Sequence, residues 1–211
     1  TPDCSRCRDS APLAMDITMA FQPIFNVSTG QPHTYEALVR GGNGEGAGEV
    51  LSRVTDETRY SFDQLCRTTA IRTASGLGLK EADAAPRLSI NFLPNAVYEP
   101  RACIRQTLGV AMETGFPLNR IMFEFTENER MDTDHLLNIL RTYRSMGFAT
   151  AIDDFGAGYA GMNLLAAFQP DFIKLDMDLI RGIDADETKK IVVDGVLAIA
   201  RKLGVTPICE G

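Results

Sequence analysis

The stretch Thr133-Asp-His-Leu-Leu-Asn-Ile-Leu-Arg-Thr-Tyr-Arg-Ser-Met-Gly147-Phe-Ala-Thr-Ala-Ile-Asp153-Asp154 holds the organising pattern of the chain. Leu136, Leu137, Leu140 and Tyr143 recur at helical spacing on one face, which predicts an amphipathic helix over 133–146. Gly147 sits where the helix end needs a left-handed residue, a conformation glycine adopts without steric cost. A short strand-like run, Ala149-Thr-Ala-Ile152, then ends on two acids.

The same rhythm extends outward in both directions. A helix over 70–77 with Gly78 leads to Leu88-Ser-Ile-Asn91, and a helix over 101–114 with Gly115 leads to Ile121-Met-Phe-Glu124. A helix over 188–203, with Ile191, Val192, Val196, Ile199 and Leu203 on one face, stops at Gly204 before Thr206-Pro-Ile-Cys-Glu210. Phe172-Ile-Lys-Leu175 is a further strand and carries the series' one lysine. Two earlier strands, 20–26 and 34–39, are joined through Ser28-Thr29-Gly30, short enough for an antiparallel hairpin.

Strands alternating with helices predict a largely parallel sheet. Polar residues closing so many strands predict that those ends converge, as they do on one face of a (β/α)-barrel. An open doubly wound sheet also alternates, but the Gly-rich first turn that usually marks its site is missing.

The strand-end residues are Glu36, Asn91, Glu124, Asp153, Asp154, Lys174 and Glu210. One acid after one strand often caps the next helix, and Asp132 and Asp186 are expected to do so. The full set is different, because carboxylates gathered in one ring repel and titrate upward unless something neutralises them. Two divalent cations do this, and a donor set made only of oxygens favours Mg²⁺ or Mn²⁺. Adjacent Asp153 and Asp154 let one backbone point serve two cations about 4 Å apart, the arrangement that activates water for in-line displacement at phosphorus. Lys174 and Arg40 add positive charge for phosphate oxygens.

Composition narrows the partners. The 211 residues carry a formal net charge of -7 and no block of Lys and Arg, so a long nucleic acid is not expected. No apolar run reaches the length of a membrane span and no signal-peptide core is visible, which predicts a cytoplasmic domain. Cys4 and Cys7 have the spacing of half a zinc or redox site, but no second pair follows and neither His33 nor His135 has ligand spacing with them. They are read as inert.

Glu36-Ala-Leu38 lies within Tyr35-Glu-Ala-Leu-Val-Arg40, preceded by Phe21-Gln-Pro-Ile24. Ser89-Ile-Asn91, Glu124-Phe-Thr-Glu127, Asp153-Asp-Phe-Gly-Ala-Gly-Tyr159, Gln169-Pro-Asp-Phe-Ile-Lys-Leu-Asp176 and Glu210-Gly211 follow in order. This series resembles the EAL family of cyclic di-GMP phosphodiesterases. The resemblance implies hydrolysis of cyclic di-GMP to linear pGpG with two Mg²⁺ or Mn²⁺ ions, in bacterial signalling. By the same resemblance Glu36, Asn91, Glu124, Asp153 and Asp154 are metal ligands and Lys174 stands beside the nucleophilic water. Glu210 is a general base or a partner of the metal site, Gln22 and Arg40 contact the dinucleotide, and Glu127 braces the loop 155–161. The resemblance also implies a homodimer and a sensor domain outside this chain.

The expected fold is α/β, a (β/α)8 TIM-like barrel with an antiparallel first strand pair. Residues 17–211 form the domain, 1–16 a tail or linker, and the last βα unit of a barrel of about 250 residues is missing. Ala157, Ala160 and Gly161 replace loop hydroxyls common in the family, and Gly41 stands where an aromatic is frequent. The alternative function is a catalytically impaired cyclic di-GMP receptor or protein-interaction module of the same fold. A Mg²⁺-dependent lyase of the enolase type is disfavoured, because neither histidine ends a strand.

Overall fold

Strand β1 (Ile17–Phe25) pairs antiparallel with β2 (Pro32–Gly41), and Gln22 lies opposite Glu36 in the register. These coordinates come from a computed structural model that describes residues 13–81, 85–126, 132–158 and 161–210. The hairpin closes with Asn26, whose backbone N–H donates to the Gln31 carbonyl at 2.9 Å while its side chain accepts from Ser28 N–H at 2.9 Å. Helices α1 (Ala47–Leu51) and α2 (Arg59–Gly76) lead to β3 (Arg87–Asn91). Helices α3 (Pro100–Cys103) and α4 (Arg105–Thr114) precede β4 (Ile121–Thr126), and α5 (Thr133–Ser145) precedes β5 (Ala149–Phe155). Helix α6 (Gly161–Ala167) leads to β6 (Phe172–Leu175), and α7 (Met177–Ile180) and α8 (Glu187–Leu203) lead to β7 (Thr206–Cys209). The strands follow one another β1 to β7 in a single sheet, parallel from β2 onward.

The sheet curls strongly. Strands β2 and β6 are four positions apart, about 19 Å in a flat sheet at the usual strand spacing, more than two side chains span. Yet Lys174 Nζ on β6 lies 3.2 Å from Glu36 Oε2 on β2. At the opposite end of the strands the rings of His33 and Phe172 are 5.5 Å apart, again joining β2 to β6.

Alternation along each strand divides inside from outside. Phe123, Phe125, Ile152, Ile173 and Leu175 face the helices and pack with Ile71, Val110, Leu140 and Tyr143 in the main core. Met122, Ala149, Ala151, Phe172 and Ile208 form a second, inner cluster, against which Ile24 of β1 also packs. One pleat further along sit Glu124, Asp153 and Lys174, so the inner cluster is the floor beneath the polar residues.

Several boundaries differ from the sequence expectation, each for a physical reason. Helix α2 begins at Arg59 rather than near residue 70, because its buried face carries Asp63, Gln64 and Arg67, where apolar spacing is silent. Here Arg67 Nε lies 2.7 Å from Asp63 Oδ2, its guanidinium donates to Tyr143 Oη at 2.8 Å, and it sits 5.0 Å from the Phe123 ring centroid. The helix expected over 101–114 is divided at Ile104. In α8 the buried stripe is Val193, Val196 and Ala200, whereas Ile191, Val192, Ile199 and Leu203 lie on the exposed side. Glu36 is in mid-strand, β2 running on to Gly41. The caps follow expectation: Asp132 accepts from Asp134 N–H, Asp186 accepts from Lys189 N–H, and Gly115 and Gly204 are left-handed.

Candidate active site

Lys174 occupies the middle of the polar layer. Its side chain is 1% exposed, and Nζ lies 3.2 Å from Glu36, 3.4 Å from Glu124, 3.0 Å from Asp153 and 2.9 Å from Glu210. These carboxylates arrive from β2, β4, β5 and the residue after β7, brought together only by the curl of the sheet. Burial acts to lower the lysine's pKa, but the surrounding acids outweigh it and the net shift is upward, so the ammonium keeps its proton.

The acids form two overlapping groups. Glu36, Glu124 and Asp153 each place one oxygen within 4.8 Å of the others, and Asp153, Asp154 and Glu210 do the same. Asp153 belongs to both. Adjacent residues on a regular strand point to opposite faces, so Asp154 needs a special backbone to join its neighbour. It has one: φ is 52°, left-handed, and the β5–β6 register shifts between Ile152 and Phe155. The Asp154 N–H also donates to Asp153 Oδ1 at 3.0 Å.

Asn91 pairs with Glu124 in the β3–β4 register. Its amide nitrogen donates to Glu124 Oε1 at 2.9 Å and reaches Glu36 Oε1 at 3.3 Å, which leaves the amide oxygen as its ligand atom. Burial pushes the Glu124 carboxyl well up; Lys174 opposes this, and Glu36 and Asp153 add to it. Glu210 is likewise pushed up, chiefly by burial.

This donor set fits hard divalent cations. Five carboxylates against one ammonium leave a net charge of -4, which two divalent cations cancel, and every donor is an oxygen.

Residues 9–211 match the EAL domain family. The chain belongs to that family.

The c-di-GMP-bound crystal structure of a standalone versatile EAL protein from Vibrio cholerae O395 is 52% identical, with a TM-score of 0.89 over 94% of this chain and 82% of that one. BlrP1 from Klebsiella pneumoniae, solved as a manganese/cy-diGMP complex, is 32% identical with a TM-score of 0.86, covering 95% of this chain and 51% of that one. The blue light- and temperature-regulated antirepressor BluF of Escherichia coli is 26% identical over 200 residues, 93% of this chain and 49% of BluF. Other relatives are named as cyclic di-GMP phosphodiesterases. The chain thus spans less than half of the curated relatives it matches first.

In this EAL domain Gln22 stands opposite Glu36 in the β1–β2 register, so its side chain shares the inner face with the acids. Arg40 follows Glu36 by two pleats on the same face, toward the rim, and its guanidinium donates to the Val39 carbonyl at 2.8 Å. Glu127, Cys4 and Cys7 lie outside the described residues. Cys66, Cys103 and Cys209 form no disulfide among the described residues, and burial lifts the Cys66 pKa to about 12. A cavity of about 320 Å³, lined mainly by apolar side chains including Leu38, Phe62, Leu93 and Pro94, shares Asn91 with the acid ring. Nothing in the sequence announced it, since its lining comes from six separated segments. No helix among the described residues is long and apolar enough to cross a membrane.

Proposed function

We propose that this EAL domain hydrolyses one phosphodiester bond of cyclic di-GMP to give linear pGpG, using two Mg²⁺ or Mn²⁺ ions. The observation that carries the reading is the pair of acid groups sharing Asp153 around the Lys174 ammonium. Glu36, Asn91, Glu124 and Asp153 would hold one cation, and Asp153 and Asp154 the other, with Glu210 beside it. Bound cations supply charge neutralisation at the phosphate and acidify a water. Lys174 orients that water and meets charge developing on the phosphoryl oxygens. Glu210, pushed up by burial, accepts the water's proton. Gln22 and Arg40 hold the dinucleotide at the rim, and the cavity beside Asn91 has room for a purine base. Glu127 would brace the loop after Asp154.

The relatives bound to cyclic di-GMP, one of them with manganese, support the substrate and the metal. We take the seven-stranded curl as most of an eight-stranded barrel, with residues 17–211 as the domain. The same reading has it working in the cytoplasm as a homodimer under a sensor domain. The test is to incubate the protein with cyclic di-GMP and Mg²⁺ or Mn²⁺ and to separate the products. Linear pGpG that disappears with excess chelator is expected; full hydrolysis in chelator overturns the mechanism. A protein-interaction role is the second reading, favoured because BluF is named an antirepressor. It predicts no pGpG from a folded, cation-loaded sample.

A further inference from the structure

Glu124 is gripped at both carboxylate oxygens. Oε2 accepts a hydrogen bond from Ser89 Oγ at 2.6 Å, while Oε1 accepts from Asn91 at 2.9 Å and faces Lys174 at 3.4 Å. Ser89 and Glu124 are both fully buried. Ser89 lies opposite Met122 in the β3–β4 register, one pleat below the Asn91–Glu124 pair, so its hydroxyl reaches up to the acid from the floor of the site. A separation of 2.6 Å is the length of a charge-assisted O–H···O⁻ bond, stronger than a bond between neutral groups.

The consequence lies in which oxygens Glu124 has left. The terminal torsion of a glutamate is soft, and a free carboxylate offers a cation either one oxygen or both. With Oε2 held by Ser89, turning to offer a cation both oxygens would strain that bond, whereas Oε1 lies on the side of the acid ring, sharing Asn91 Nδ2 with Glu36 and Lys174 Nζ with Glu36 and Asp153. Mg²⁺ and Mn²⁺ are served by such single-oxygen ligands, Mg²⁺ demanding near-ideal octahedral geometry. Ca²⁺ is larger, takes more oxygens and accepts bidentate carboxylates.

The geometry points to Ser89 as a positioning residue that fixes Glu124 as a one-oxygen ligand and so biases the site toward Mg²⁺ over Ca²⁺. This rests on the two-cation reading above. Ser89 touches neither substrate nor reacting atoms in this role; it acts through Glu124.

Cation binding without substrate tests it. Wild type, Ser89→Ala and Ser89→Thr are titrated with Mg²⁺ and with Ca²⁺ by calorimetry, and their melting is followed in chelator. Ser89→Ala is expected to lose Mg²⁺ affinity by about 10- to 100-fold, the usual effect of removing a group that orients a ligand. Its Ca²⁺ affinity should fall by a smaller factor, so the Mg²⁺/Ca²⁺ ratio drops, and Ser89→Thr, which keeps the hydroxyl, should restore the ratio. Should Ser89→Ala fail to fold, Ser89→Cys, similar in shape but a weak donor, takes its place with the same expectation. A folded variant lacking the hydroxyl with an unchanged ratio overturns the role of Ser89 while leaving the two-cation site intact. Wild type that binds neither cation overturns the two-cation reading itself and this inference with it.

Discussion

Lys174 is a fully buried ammonium in contact with four carboxylates. Replacing it with methionine removes their counter-charge, and breaking a buried pair on one side costs about 3–5 kcal/mol. Lys174→Met should therefore melt below wild type in chelator, and Mn²⁺ should narrow that gap by supplying the missing charge. With Mn²⁺ present it should bind cyclic di-GMP near-normally while pGpG formation falls by at least about 100-fold. Calorimetric ligand titration and a product assay on one preparation check this; joint loss of binding, turnover and Mn²⁺-dependent recovery would leave Lys174 a structural role only. Asp154 allows a second residue-scale test, because its φ of 52° is costly for a residue with a Cβ. Asp154→Ala and Asp154→Gly both delete the carboxylate and should both lose at least about 100-fold in turnover. Urea denaturation should nevertheless find the glycine variant about 1 kcal/mol more stable than the alanine one, since glycine enters the left-handed region freely. Equal stabilities would mean the turn is relaxed.

Among the elements, α2 is tied to the site by a buried polar network. Asp63 pairs with Arg67 at 2.7 Å and accepts the Leu93 N–H at 3.0 Å, just after Asn91 leaves β3. Burial alone would lower the Arg67 pKa, but Asp63 and Tyr143 outweigh it and the net shift is upward. Arg67→Met should destabilise the domain by about 3–5 kcal/mol, because Asp63 is left charged and buried. Asp63→Leu combined with Arg67→Met should cost less than the single change, with chemical denaturation of the two variants as the check; a double variant weaker than the single would refute the burial argument. This network is also why α2 was half hidden in the sequence. Its N-terminal turns bury Asp63, Gln64 and Arg67 where hydrophobic periodicity looks for leucines. In α5 the buried face is Leu136, Leu137, Leu140 and Tyr143, and there the spacing alone was enough.

For the whole molecule, a net charge of -7 with five carboxylates in one ring leaves repulsion that the cations of the proposed mechanism would relieve. A ligand that binds only the folded state stabilises it by about 2.7 kcal/mol at a concentration of 100 Kd. Saturating Mg²⁺ or Mn²⁺ should therefore raise the melting temperature over that in chelator; Ca²⁺ should raise it too yet support little turnover, because its looser coordination places water poorly. Thermal melts paired with product assays across the three ions check this, and a melting point indifferent to all of them would argue against a cation site. The amino-acid sequence by itself determined the alternation of helices and strands, the glycine stops, the hairpin and the identity of the polar residues, because these depend on neighbours a few positions apart. It did not determine which flank of α8 is buried: two apolar stripes compete there, and packing selects Val193, Val196 and Ala200. Nor did it place Ser89 under Glu124, 35 residues away in the chain. Only the curl of the sheet brings Lys174 to Glu36 across 138 residues, because that proximity is a sum of strand twists and core packing that no local stretch of sequence contains.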